Sequence, residues 1–542
     1  MNSETLLNIL LENRGITDAL ARGKFLSPKY TDMYDPYLMH DMDRAVARIA
    51  RAVEQSEKIC IYSDYDADGI PGNVILHDFF AKIEYKNIIK YIPHRHTEGY
   101  GLHMDALDSF ADQGVKLIIT VDLGITAVDE CARATELGIE VIITDHHEPL
   151  ETLPDAYAIV NPKLGSYPDT MLCGAGVAFK LVQALCKHYN ITDDWEKRLL
   201  DLAGLSTLSD MVPLVDENRV IAYGGMKFLQ KSPRPGLRAL YSKSGLDTTY
   251  MTETDIVFSI TPRLNAASRM DHGDLAFEVL STRNHTMAEI AAEHISLLND
   301  KRKKIVTDIM KKLAADNHDN TSVIVIGHES WNAGILGIIA GKIQDKYKKI
   351  AFVWGGSNGS SVKGSVRGNS TVSVVEIMSN HAELLEHYGG HHDAGGFSVS
   401  MENKEQFFSA LQNIPTTLEL RGTSEINHEV IYDAELPLSA VTDEYYQTIR
   451  KLAPFGMGNP EPVFLFKNIE VVTVKQFGKT QEHFEIIVRD NNKEVKAIKW
   501  FATEKDFTKI PSEGHAIDLY AKFEHSVFRG KHELRLQVLD VQ

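Results

Sequence analysis

A chain of 542 residues is too long for a single hydrophobic core, so roughly two to four domains are expected. Apolar and charged fractions of 43% and 24% are those of an ordinary globular protein. No stretch approaches a membrane span, and Met1-Asn-Ser-Glu4 lacks the charged-then-apolar order of a signal peptide. The formal charge of −18 argues, by itself, against nucleic acid as a partner, because phosphate binding needs cations.

Residues 1 to about 55 read as helical and are assigned as an N-terminal cap on the first domain. From 58 onward, strands (58–63, 87–92, 115–121, 139–144, 156–160) alternate with helices (73–84, 125–137), which predicts a parallel sheet covered on both faces. The first strand runs into Asp64-Tyr-Asp-Ala-Asp-Gly69, which places three carboxylates at alternate positions before a tight turn. The carboxyl edge of such a sheet is where open α/β folds place their chemistry. Crowded carboxylates repel unless a cation sits among them, which favours a divalent metal with hard oxygen ligands. A solvated loop or a calcium site also fits alternating aspartates, although the usual calcium-loop spacing is missing.

Two further strand ends carry the same chemistry. Val121-Asp-Leu-Gly124 delivers Asp122, and Thr144-Asp-His-His147 delivers Asp145, His146 and His147, with Asp145 suited either to ligating or to orienting. Asp210 follows on a helix that stops at Pro213. Carboxylates with one or two imidazoles fit Mn²⁺ or Mg²⁺. The four cysteines (Cys60, Cys131, Cys173, Cys186) lack the pair spacing of a zinc site or a disulfide frame and suggest a reducing cytoplasm.

Residues 274–318 read as one or two long helices, with Leu298, Ile305, Ile309 and Leu313 on one face and Lys301-Arg-Lys-Lys304 as a basic run. From 321 an α/β pattern restarts with Asn332-Ala-Gly, Ser361-Val-Lys-Gly-Ser-Val-Arg-Gly368 and Gly389-Gly-His-His-Asp-Ala-Gly-Gly396. Clustered glycines let a backbone approach phosphate. Ser365 and Arg367 share one strand face, which offers a hydroxyl and a bidentate donor. After about 420, short strands at 463–466, 469–474, 483–489, 495–500, 517–524 and 533–539 suit a small β-barrel. Phe523, Phe528, Arg529 and Lys531 stand near its last hairpin.

In order and spacing, Asp64-Tyr-Asp-Ala-Asp-Gly69, Val121-Asp-Leu-Gly124, Asp145-His-His147 and Ser209-Asp-Met-Val-Pro-Leu214 resemble the four motifs of the DHH phosphoesterase superfamily. Within it the chain resembles the RecJ family of single-strand-specific exonucleases over nearly its whole length. The resemblance rests on Asp35-Pro, Ile92-Pro-His-Arg95, Glu98-Gly-Tyr-Gly-Leu102, Pro262-Arg-Leu-Asn-Ala-Ala-Ser-Arg-Met270 and Phe455-Gly-Met-Gly-Asn-Pro-Glu-Pro462. It implies a multidomain α/β protein: N-terminal cap 1–55, parallel-sheet DHH domain 56–273, helical connector 274–318, smaller α/β DHHA1 domain 319–418, and linker with OB-fold barrel 419–542.

It further implies 5′-to-3′ degradation of single-stranded DNA to 5′-mononucleotides in DNA repair and recombination, by a monomeric cytoplasmic enzyme without membrane attachment that works beside a single-strand-binding protein and a helicase. Two Mn²⁺ or Mg²⁺ ions are implied, one held by Asp64 and Asp66, the other by Asp68, His146 and Asp210, with Asp122 bridging. Asp122 and His147 are the implied catalytic residues, and Arg95, Tyr100, Arg269, Ser365, Arg367 and His391 the substrate contacts. His392 and Asp393 depart from the family's small and apolar pair, and Asn332 stands where His is frequent. The implied OB-fold suits a single strand, with Phe523, Phe528, Arg529 and Lys531 as candidate contacts, and basic residues at 94–96, 301–304, 363–367 and 529–532 are expected to track it despite the acidic total. A superfamily enzyme for small nucleotides leaves the barrel unexplained, and a non-catalytic scaffold leaves the intact ligand set unexplained.

Overall fold

A computed structural model describes residues 1–313, 321, 323–356, 359–370, 372–412, 414, 430–478, 481–528 and 531–542. The chain divides into two compact units, one formed by Asp35–Asp210 and Gly225–Ile426, the other by Met1–Tyr34, Met211–Gly224 and Asn427–Gln542.

In the first unit, β1 (Lys58–Ser63), β2 (Ile88–Tyr91), β3 (Val115–Val121), β4 (Glu140–Thr144) and β5 (Ala158–Val160) form a parallel sheet in the order β2-β1-β3-β4-β5. The inner strands are buried along nearly their whole length, which is why they read as unbroken apolar runs. The chain leaves β1 for β2 on one side and returns to β3 on the other. A crevice therefore opens beyond the carboxyl ends of β1 and β3. Ser63 pairs with Val121, so the residues that follow, Asp64 and Asp122, emerge at the same edge.

After a largely helical stretch, the connector resolves into the Asp274–Ser281 helix and one 29-residue helix, His285–Leu313. The long helix buries Ile295, Asn299, Val306, Ile309 and Leu313, and its Lys301, Lys303 and Lys304 stay exposed. A second sheet follows, built from β6 (Val323–His328), β7 (Ile350–Gly355), β8 (Ser361–Arg367), β9 (His387–His391) and β10 (Ala394–Ser400) in the order β6-β7-β8-β10-β9. Only its β6–β7 pairing is parallel.

In the other unit, β11 (Ala434–Glu435) pairs with β12 (Phe464–Phe477), and β12, β13 (His483–Asp490), β14 (Lys493–Lys499), β16 (Lys531–Val541) and β15 (Ala516–Phe528) close into a five-stranded barrel. The two strands expected at 463–466 and 469–474 are one. β12 bends at Asn468 (φ 50°), pairs with β15 on both sides of the bend as far as Glu470 and with β13 from Glu470 onward, and this double pairing shuts the barrel.

Two sequence-based expectations change here. Residues 1–34, expected with the first domain, group with the barrel: Leu6 and Leu10 of the Ser3–Glu12 helix sit at 0% exposure in the same core as Phe464, Phe466 and Ile486. An amphipathic helix does not name the apolar face it will cover. Phe523 points inward at 3% exposure as part of that core and is withdrawn as a base-stacking residue. Lys531 is exposed, whereas the side chain of Phe528 and all of Arg529 lie outside the described residues.

Candidate metal centre

The triple-aspartate loop is shaped by its own backbone. Asp66 accepts the N–H groups of Asp68 (2.8 Å) and Gly69 (3.2 Å), so one carboxylate oxygen caps the start of the Gly69–Lys82 helix. Asp68 accepts the N–H groups of Gly174 (2.6 Å) and Ala175 (2.8 Å) at the first turn of the Gly174–His188 helix, where the helix dipole favours an anion. Sequence reasoning did not find this anchor. Its signal is Gly174-Ala-Gly176 opening an apolar helix, where the absence of bulk lets the two elements close. A Cβ on Gly174 would lie 2.5 Å from Asp122 Cβ and 2.7 Å from its Oδ1. Gly174→Ala is therefore expected to displace Asp122 and weaken Mn²⁺ binding roughly 10- to 100-fold, read by titration calorimetry.

Asp122 has a left-handed backbone (φ 63°) and 3% exposure. Such strain in a non-glycine residue marks sites where geometry is dictated by function. His146 Nε2 lies 3.2 Å from Asp122 Oδ1 and 3.8 Å from both Asp68 Oδ2 and Asp210 Oδ2. Asp145 resolves as an orienting group: at 0% exposure it accepts the N–H groups of Ile125, His146 and His147 and the Nδ1–H of His147 (2.8 Å), which leaves little capacity for a metal. Tyr100 donates its hydroxyl to Asp122 O (3.2 Å) and lies 3.2 Å from His147 Nδ1.

Three donor groups result: Asp64, Asp66 and Asp122; Asp68, His146 and Asp210; Asp122, His146 and His147. Within each, one ligand atom per residue lies within 4.8 Å of the others. Asp122 joins the first group to the third and His146 the third to the second.

The electrostatics fit dications. Burial, and then neighbouring carboxylates, push Asp64 and Asp122 well above the usual carboxylate range, and burial raises Asp68 as well. Asp64 Oδ1 is buried without a hydrogen-bond partner among the described residues. Asp210, at the rim with 30% side-chain exposure, is pushed up to about 8 by burial and by Asp68 and Asp66. Burial lowers His146, which keeps its imidazole neutral and able to ligate; at His147 burial also lowers, but the hydrogen bond and charge of Asp145 with the charges of Asp68 and Asp210 together outweigh it and raise the imidazole. Oxygen-rich donors with one or two imidazoles and no thiolate are the set suited to Mn²⁺ or Mg²⁺.

These shifts have a sign for stability. At these groups the folded, metal-free chain keeps protons that the unfolded chain has already lost, so the stability they contribute is fully present below the ordinary carboxylate value of 3.8 and is lost as pH rises toward about 8. Without metal, the melting temperature is expected to be lower at about pH 8 than at about pH 5. Mn²⁺ should abolish that difference, because it binds the deprotonated ligands.

A second group of polar side chains surrounds the first turn of the Ala333–Tyr347 helix. Asn332 caps that helix by accepting Gly334 N–H (2.7 Å), so this departure from the family pattern retains a structural task. Arg269 Nη1 donates to Gly334 O (2.9 Å), and burial followed by the charges of Arg95 and Arg302 lowers it to about 9. A Cβ on Gly337 would lie 3.1 Å from Ser365 Oγ and 3.2 Å from Arg367 Nη2, so the glycine keeps a cradle open there. Arg367 donates to Ser365 Oγ (3.3 Å), Lys363 to His96 O (2.8 Å), and the Arg95 guanidinium stacks 4.6 Å over Tyr65. His391 is exposed at the end of β9 and pairs with Ala394, so His392 and Asp393 form the two-residue turn of a hairpin. Asp393 secures that turn by accepting Ser370 N–H (2.8 Å).

A parallel sheet ending in carboxylates and imidazoles, followed by a glycine-rich α/β domain, defines a phosphoesterase of the DHH–DHHA1 class. The DHH family, N-terminal domain, matches residues 58–207 and the DHHA1 domain residues 320–415. The RecJ OB domain matches residues 432–540, and the chain belongs to the RecJ family. It is 35% identical over 541 residues to the single-stranded-DNA-specific exonuclease RecJ of Bacillus subtilis (strain 168), covering 99% of this chain and 67% of that one. With the RecJ of Haemophilus influenzae the identity is 29%, over 90% of this chain and 87% of that one. Among solved structures it resembles RecJ from Thermus thermophilus in complex with Mn²⁺, with a TM-score of 0.82 and 25% identity over 99% of this chain and 76% of that one. An exonuclease RecJ bound to manganese matches with a TM-score of 0.64 and 30% identity over 70% of this chain and 97% of that one.

Proposed function

We propose that this chain is a metal-dependent exonuclease that degrades single-stranded DNA from its 5′ end and releases 5′-mononucleotides. The observation that carries the reading is the set of linked donor groups around Asp122, in the same compact unit as the Ser365–Arg367 cradle. Bound Mn²⁺ or Mg²⁺ would supply charge neutralisation and an acidified water at the phosphodiester.

The chain's own residues do the rest. Asp64, Asp66 and Asp122 would hold one ion, and Asp68, His146 and Asp210 the other, with Asp122 available to both. His147 keeps its Nδ1 proton on Asp145, which frees the opposite ring nitrogen for the scissile phosphate or the leaving oxygen. Arg95, Arg269, Ser365 and Arg367 hold the terminal 5′-phosphate, with Tyr100 and His391 as further contacts, and fixing that end meters cleavage to one nucleotide. The barrel tracks the strand downstream. Binding weakens steeply with salt, because the grip works by displacing counterions from phosphates.

No described helix is long and apolar enough to cross a membrane. Action as a cytoplasmic monomer beside a single-strand-binding protein and a helicase, in repair and recombination, completes the reading. End-labelled single-stranded and duplex DNA, incubated with and without Mn²⁺, tests it. The expected result is Mn²⁺-dependent release of mononucleotides from the 5′ end of the single strand. Release without added metal after exhaustive chelation, or preference for duplex, overturns the reading.

A further inference from the structure

The Pro262-Arg-Leu-Asn-Ala-Ala-Ser-Arg-Met270 motif has so far supplied one residue, Arg269. It lies on the Thr261–Met270 helix, and three of that helix's polar residues follow a four-residue spacing, Thr261, Asn265 and Arg269. Four-residue spacing puts them on one face, about 12 Å from end to end at 1.5 Å per residue.

Each holds a different part of the site. Thr261 Oγ1 lies 2.6 Å from Ser209 Oγ, which donates to Leu205 O (2.7 Å), and Ser209 immediately precedes Asp210. Asn265 Oδ1 accepts the N–H of Ala67 (2.8 Å), the residue between Asp66 and Asp68. The carbonyl of the same Ala67 accepts from Ser206 Oγ (3.0 Å), so both backbone polar groups between those two aspartates are fixed by side chains. Arg269 Nη1 donates to Gly334 O at the phosphate cradle.

The helix is seated by buried Leu264, Ala266, Ala267 and Ser268 and leaves a π-helical turn at Ile256–Ile260, a local irregularity frequent at functional sites. A short helix packed this tightly moves as a body, so a shift at the cradle reaches both edges of the metal centre.

We infer that the Thr261–Met270 helix couples occupation of the terminal-phosphate grip to the placement of the metal ligands, with Asn265 and Thr261 as positioning residues. The inference rests on the nuclease reading above. A 5′-phosphate drawn onto Arg269 loads the helix, and Asn265 and Thr261 carry that load to the Asp66–Asp68 loop and to Ser209–Asp210. A correctly seated 5′ end thereby raises the rate of cleavage as well as the affinity for the strand.

The test compares Asn265→Ala, Thr261→Val and Thr261→Ser with the unmodified full chain in two measurements: Mn²⁺ titration calorimetry without DNA, and kcat and KM for 5′-phosphorylated and 5′-hydroxyl single strands. The unmodified chain is expected to show a kcat advantage for the phosphorylated strand. Asn265→Ala is expected to weaken Mn²⁺ binding roughly 10- to 100-fold, as loss of a partner that orients metal ligands does. It should also remove the kcat advantage and keep the KM difference, because Arg269 is intact. Thr261→Val should reduce the same advantage, and Thr261→Ser, which retains the hydroxyl, should restore it.

Should Asn265→Ala fail to fold, the Thr261 pair carries the same comparison. An active unmodified chain with no kcat advantage, or variants that keep it whatever their Mn²⁺ affinity, overturns the coupling and leaves the nuclease reading standing. A chain that releases no nucleotide with Mn²⁺ sinks both.

Discussion

Replacing Asp122 by Asn is expected to lower nucleotide release by about 10³-fold, the scale of several kcal/mol of lost charge stabilisation at a metal-assisted phosphoryl centre. Asparagine is the informative substitution because it tolerates the left-handed backbone at this position, whereas alanine would add strain of its own. The stability readout runs the other way. Burial, and then the charges of Asp68, Asp66 and Asp64, raise the Asp122 carboxyl, so without metal the neutral amide removes both penalties and the variant should melt at or above the unmodified chain. With Mn²⁺ at about a hundred times its dissociation constant, the unmodified chain gains roughly 2.7 kcal/mol and the variant much less, so the order of melting reverses. Activity with Mn²⁺ close to that of the unmodified chain, or an equal metal-induced rise in melting temperature, would remove Asp122 from the shared position.

Arg234→Ala is expected to cost about 3–5 kcal/mol of stability, because it leaves the buried Asp201 carboxylate without its arginine and Asp78 with Arg283 (2.8 Å) alone. Arg234 is 3% exposed, donates to Asp201 Oδ2 (2.8 Å) and Leu280 O (3.2 Å), and lies 2.7 Å from Asp78 Oδ2. Although burial opposes its charge, Asp201 and Asp78 together raise its pKa. Arg133 is the contrast: with 39% side-chain exposure it bridges Asp108 and Glu136 in solvent, and Arg133→Ala should barely move the urea midpoint. Urea midpoints of the two variants against the parent chain decide the matter. Similar small losses at both positions would mean that water reaches the Arg234 network.

The candidate ligands were legible because each follows a strand or closes a helix that announces itself by apolar periodicity. Asp64, Asp122, His146 and His147 come straight after β1, β3 and β4, and parallel strands place all such residues at one edge. The residues that hold those ligands were not legible. Asn265 reaches the Asp66–Asp68 loop across 198 positions of sequence, and Gly174 reaches Asp68 across 106. A single side chain that bonds a distant backbone leaves no periodic trace. The same holds for Arg234, which stands between two prolines and carries no periodic signal.

The barrel shows where pattern reading stops. Short alternating segments give its architecture, but which face of a strand turns inward depends on how the sheet closes. Phe523, a candidate strand contact by its position near the last hairpin, turns inward at 3% exposure and meets the ring of Phe464 edge-on. Asn468 turned two expected strands into one bent strand, and a bend of that kind depends on a backbone angle.

By itself, then, the order of residues determined the chemical inventory of this protein and its delivery to one edge of a parallel sheet, since strand direction and side-chain alternation are local properties. Tertiary structure alone decided the partner of the N-terminal helix, the inward turn of Phe523 and the clamps on the Asp66–Asp68 loop. Those depend on surfaces and backbone groups that meet only after distant segments have packed, and an apolar face or an unpaired N–H carries no address for its partner.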